Sequence, residues 1–103
     1  MALLDNPVPN IGTGRAVVTT ATTAVVVTSS NIPTAWVIIQ AETDNTGTVA
    51  VGDSNVVAAL TTERGTVLAA GESVTLPVSD LRQLYIDSTV SGDGVTYLYG
   101  RIP

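Results

Sequence analysis

TAWVIIQAETDNTGTVAVGD, from Thr34 to Asp53, is the stretch whose reading decides the fold. Side chains alternate between the faces of a strand, so Val37, Ile39 and Ala41 share one face while Trp36, Ile38 and Gln40 share the other. After the polar run Asp44-Asn45-Thr46-Gly47, Val49 and Val51 repeat that spacing across the small Ala50. The pattern predicts two strands joined by a turn, a hairpin with one face committed to a core. Trp36, the only tryptophan, is expected to plug one end of the sandwich.

Working outward, the same period recurs. Val74, Leu76 and Val78 alternate with Ser73, Thr75 and Pro77, and the outward Pro77 points to an edge strand or a strand end. Leu84–Val90 and Val95–Arg101 flank Ser91-Gly92-Asp93-Gly94, whose two glycines suit a tight reversal, so a second hairpin is expected there. Upstream, Arg15–Thr28 holds two valine clusters with no Gly, Pro or Asn between them, which predicts one long strand kinked near Ala21. After Asp53, the run Ser54–Gly65 is read either as a helical turn or two capped by Ser54 or as an irregular crossover between sheets. Thr66–Leu68 adds a short strand. Turn signals about every ten residues, with seven or eight short strands, predict an all-β antiparallel sandwich, jelly-roll-like or immunoglobulin-like.

Composition agrees. Of 103 residues, 38 are Val, Thr or Ile, the β-branched types that fit pleated, half-buried surfaces. The length suits one domain with a large surface for its volume, which favours oligomerisation. Without cysteine there is no disulfide framework, and without histidine the commonest general base and transition-metal ligand are missing. No catalytic residue, cofactor or small-molecule substrate is expected. The formal net charge of −5 and four scattered arginines argue against nucleic-acid binding. The longest apolar run, Ala24–Val27, is far short of the ~20 residues that span a bilayer, and the amino terminus lacks the pattern of a secretion signal. A soluble chain is expected.

Residues 1–14 hold Pro7, Pro9, Gly12 and Gly14 with Leu3, Leu4, Val8 and Ile11 between them. They read as an extended arm ahead of a domain over 15–103. The arm is either a frayed terminus or a docking element whose partner-binding residues are Leu3, Leu4, Pro7, Val8, Pro9 and Ile11. All three tyrosines lie in the last third, and two readings of them stay open. Tyr85, Tyr97 and Tyr99 form a surface stripe suited to an interface, or Tyr97 and Tyr99 belong to the core. The turn acids Asp44, Asp53, Asp87 and Asp93 are read as satisfying backbone groups rather than as a metal site.

The segments VIIQAETDNTGTVAVGDSNV and LAAGESVTLPVSDLRQLYIDSTVSGDGVTYLYGR, in that order, resemble small structural proteins of tailed bacteriophages. The resemblance covers Val37 to Arg101 and departs from the pattern at Thr61–Gly65. It implies a jelly-roll-like virion component without catalytic residues. The expected function is a capsid decoration protein that binds the major capsid protein on the outer shell surface after assembly in the host cytoplasm. A homo-oligomer, taken as a trimer, suits symmetric shell sites. The alternative is a tail or fibre module binding host glycan or protein through the tyrosines.

Overall fold

The computed structural model describes residues 10–101. Eight strands make up the fold: β1 (Asn10–Val17), β2 (Val25–Val26), β3 (Thr34–Ala41), β4 (Val49–Gly52), β5 (Thr66–Leu68), β6 (Ser73–Leu76), β7 (Tyr85–Ser88) and β8 (Gly94–Arg101). One short 3-10 turn, Leu81–Gln83, starts where the Asp80 carboxylate accepts from the Arg82 N–H. Two antiparallel four-stranded sheets, ordered β1-β8-β3-β6 (sheet A) and β2-β7-β4-β5 (sheet B), form a β-sandwich.

The pairs β1 with β8, β2 with β7, β3 with β6, and β4 with β5 describe one long antiparallel ribbon with its tip between β4 and β5. Rolled up, that ribbon is a jelly roll. Among strands adjacent in sequence, only β4 and β5 pair directly.

This arrangement corrects both expected hairpins. β3 and β4 lie in different sheets, and so do β7 and β8. The alternation within each strand is as read: Val37, Ile39 and Ala41 are fully buried, and Val74, Leu76 and Val78 are half-buried beside exposed Ser73, Thr75 and Pro77. What differs is where the turns lead. The Asp44–Gly47 turn is tied to the β7–β8 connection: the Asp93 carboxylate accepts from Thr46 N (3.1 Å) and Gly47 N (2.8 Å), and the Asn45 amide exchanges two hydrogen bonds with Gly94. The two connections thus cross from sheet to sheet together and brace each other at one end of the sandwich.

The single kinked strand expected over Arg15–Thr28 is also corrected. The chain leaves sheet A after Val17, turns at Thr19–Thr22 and enters sheet B as β2. Thr22 takes the left-handed conformation usual for glycine (φ 67°), so a turn forms without any of the usual turn residues. Residues 54–65 form neither a helix nor a crossover between sheets: β4 and β5 pair directly, and these residues are an irregular loop within sheet B held by a bridge between Val57 and Arg64. At the amino end, residues 10–14 are part of β1, so the boundary expected between 14 and 15 falls inside a strand. Leu3, Leu4, Pro7, Val8 and Pro9 lie outside the described residues.

The core between the sheets collects Ala16, Val18, Val37, Ile39, Val49, Val51, Leu68, Leu81, Ile86 and Val95 with Tyr97. A second, smaller cluster lies on the far side of sheet B, where Val56 and Ala58 of the loop cover Ala50, Val67 and Tyr85.

Candidate interaction surface

The two sheets differ in what covers them. Sheet B has the core on one side and the 53–65 loop on the other. A buried carboxylate fastens that loop: Asp87 is 1% exposed, and its Oδ2 accepts from Ala58 N at 2.8 Å. Its Oδ1 has no partner. The outer face of sheet A has no such cover among the described residues.

Strand register builds that outer face row by row. Ile11, Gly100 and Trp36 form one row; Thr13, Leu98, Ile38 and Thr75 the next; Arg15, Thr96, Gln40 and Ser73 the third. Trp36 lies over Gly100, where a Cβ would overlap the indole. Ile11 is 71% exposed, and Trp36, Ile38 and Leu98 are half-buried, so the first two rows present apolar surface to solvent. The third row is polar. Arg15 reaches Glu42 with Nε at 2.5 Å and Nη2 at 3.2 Å from the carboxylate oxygens. This hydrogen-bonded pair holds the guanidinium above its ordinary pKa. The result is an apolar patch with an ion pair on its rim, the composition of a protein-binding surface.

The tyrosines do not make one face. Val95, Tyr97 and Tyr99 point into the sandwich on β8, Tyr97 as a core residue and Tyr99 packed against that core. Tyr97 stands opposite Gly14 and Tyr99 opposite Gly12 on β1, and at either glycine a Cβ would overlap the facing ring. The two rings lie 6.0 Å apart and tilted by 32°. Tyr85 packs in the small cluster beyond sheet B. Of the two readings, the structure gives the core one for Tyr97, and the proposed stripe does not form. Period-2 alternation did place Tyr97 and Tyr99 beside Val95; only the side on which the core lies was missing.

The turn acids have backbone partners. Asp53 accepts from Asn55 N, and Asp93 holds the Thr46 and Gly47 amides. Asp87, on β7 rather than in a turn, and Asp93, in the β7–β8 turn, are both buried and accept from amide donors of other segments. Among the described residues, no three acids come together as a group that could hold a metal ion. No helix is long and apolar enough to cross a membrane.

A second surface escaped the sequence reading. Leu60, 74% exposed, lines a shallow groove with Thr22, Gly47, Thr48, Ala59 and Thr89. Two β-branched residues at positive φ, Thr22 and Thr61, lie in or beside it. Positive φ on threonine leaves no signal in residue order.

The chain matches no known protein-family model and no curated protein.

Proposed function

We propose that this chain is a virion structural protein of a tailed bacteriophage, a decoration protein that binds the major capsid protein on the outer shell surface. The observation that carries the reading is the apolar outer face of sheet A, where Ile11, Trp36, Ile38 and Leu98 have no covering segment among the described residues while the 53–65 loop covers the other sheet. A sheet face of this kind supports attachment to a large, flat partner. The resemblance over Val37–Arg101 supplies the phage context. A jelly roll is compatible with it, since viral capsid domains use that fold, although lectin domains do too and fold alone assigns no function. A net charge of −5 without any lysine suits the outside of a shell better than the side facing packed DNA.

The mechanism is mechanical. Subunits that bind the assembled shell, and not its separated parts, stabilise it by mass action against internal pressure. Three copies around a shell three-fold position are the arrangement proposed, with residues 1–9 reaching a neighbour. The alternative, a tail or fibre module binding host glycan or protein, is favoured less, because Tyr85 packs beyond sheet B while Tyr97 and Tyr99 pack toward the core.

Quantitative mass spectrometry of purified virions tests the proposal. A copy number approaching that of the shell subunit is expected. A handful of copies per particle would overturn decoration in favour of a tail or fibre component.

A further inference from the structure

Four strand edges bound the two sheets, and three are poor templates for further pairing. β2 has two residues and β5 three, while β6 has four and is followed by Pro77. β1 is different. It is eight residues long, carries no proline or lysine, and keeps one register with β8 throughout. Long unprotected edges invite another strand, and proteins usually blunt them.

The exposed groups on this edge can be named. The Val18 N–H donates to Asp93 O at 2.9 Å and the Val18 carbonyl accepts from Gly92 N, continuing the β1–β8 ladder. Backbone groups alternate sides along a strand, so Ala16, Gly14 and Gly12 also face β8. The N–H and C=O groups of Ile11, Thr13, Arg15 and Val17 therefore point outward. None of them has a partner among the described residues.

The segment before β1 is suited to that edge. Pro7 and Pro9 are two apart, so their missing donors fall on one edge of an extended strand, and the opposite edge keeps the N–H groups of Ala2, Leu4, Asn6 and Val8. An antiparallel register of Val8 with Ile11, Asn6 with Thr13, Leu4 with Arg15 and Ala2 with Val17 joins four donor-bearing residues to four outward-facing ones. It sets Val8 beside the exposed Ile11 and spans eight residues against eight. The prolines end up on the new outer edge and blunt it.

The same chain cannot make this pairing with itself. It would need Pro9-Asn10 as a two-residue turn. Asn10 is already in the ladder opposite Arg101, and proline cannot take the positive φ such turns favour at their first position.

We propose that residues 2–9 of one copy add as a fifth strand to the β1 edge of sheet A in a second copy. This rests on the reading of the amino-terminal segment as a docking arm and names its receptor. A heterologous contact of this kind closes into a ring when the rotation allows, as a trimer requires.

The test uses the full chain without any shell. Sedimentation equilibrium up to about 100 µM, enough to populate an association with Kd of ~10 µM, should show self-association. Asn6→Pro and Leu4→Pro remove donors from the pairing edge and should weaken it by at least about tenfold, while Asp5→Pro, on the other edge, should change it less than about threefold. Hydrogen exchange on the unmodified chain should show the Ile11, Thr13, Arg15 and Val17 amides gaining protection with concentration, with Gly12, Gly14 and Ala16 protected throughout. A monomer at every concentration would overturn the proposal, as would an oligomer indifferent to all three prolines, which would point to β1 against β1. A monomeric chain that still decorates shells would sink this pairing alone; a self-associating chain that binds no shell would sink only the decoration reading.

Discussion

Tyr97 shows how one side chain links packing to solution behaviour. Its ring covers Gly14, where any larger residue would collide with it, so the glycine and the tyrosine are a matched pair across β1 and β8. Burial, with a smaller contribution from the charge of Tyr99, holds its phenol above the ordinary value of 10.0. The unfolded chain therefore releases this proton first as pH rises. Below the ordinary value both states hold the proton and the group adds no pH dependence. Above it the folded state binds more protons than the unfolded one, so stability falls until the raised folded value is passed. Urea midpoints between about pH 9 and pH 11, followed by Trp36 fluorescence, should decline in the parent chain, and the decline should be shallower in Tyr97→Phe. Equal slopes in the two proteins would show that Tyr97 does not carry the effect.

At the scale of the element, the connections decide what the strands cannot. Alternation read from residue order identified β3, β6, β7 and β8 and the inward face of β3, because a period of two survives in any sheet. It could not say which strands pair. Asp44–Gly47 and Ser91–Gly94 look like hairpin turns, yet each joins the two sheets, and the Asn45 and Asp93 side chains bond from one turn to the other. Asp93, 47 residues beyond its partner Thr46, gave no local sign that it would be buried under another loop. Likewise the Thr22 turn hides in a threonine run, and the outer face of sheet A became visible only when register placed Ile11, Leu98 and Ile38 side by side. The brace itself makes a prediction. Asp93→Ala leaves the Thr46 and Gly47 amides without their acceptor; hydrogen bonds to a charged group contribute about 1.5–3 kcal/mol each, and exposed Thr46 can return its amide to water, so a loss of about 2–4 kcal/mol is expected. Asp93→Asn keeps one acceptor and should lose less. Urea denaturation gives both values, and a loss under about 0.5 kcal/mol in the alanine variant would mean that the corner holds without this carboxylate.

For the whole molecule, the asymmetry between the sheets is the property from which function follows. The ribbon tip between β4 and β5 carries the 53–65 loop, and rolling the ribbon lays it over sheet B, where Val56 and Ala58 close a second apolar cluster. Sheet A has no equivalent segment among the described residues, so its outer rows are the surface proposed to meet a partner. Charge placed in that patch separates binding from folding. Ile38 and Leu98 are neighbours across β3 and β8 with side chains on the outer face, whereas Val37 on the same strand is fully buried. Ile38→Asp and Leu98→Asp should therefore each change folding stability by no more than about 1 kcal/mol, while Val37→Asp, which puts an unpaired carboxylate in the core, should fail to fold. On shells, each outer-face variant should lose at least about tenfold in affinity, about 1.4 kcal/mol, because an interface centre that excludes water cannot accommodate an unpaired charge. Binding assays on purified shells measure this directly. Folded variants that bind as tightly as the parent would move the shell-binding surface off sheet A, and the groove at Leu60 would be the next surface to charge.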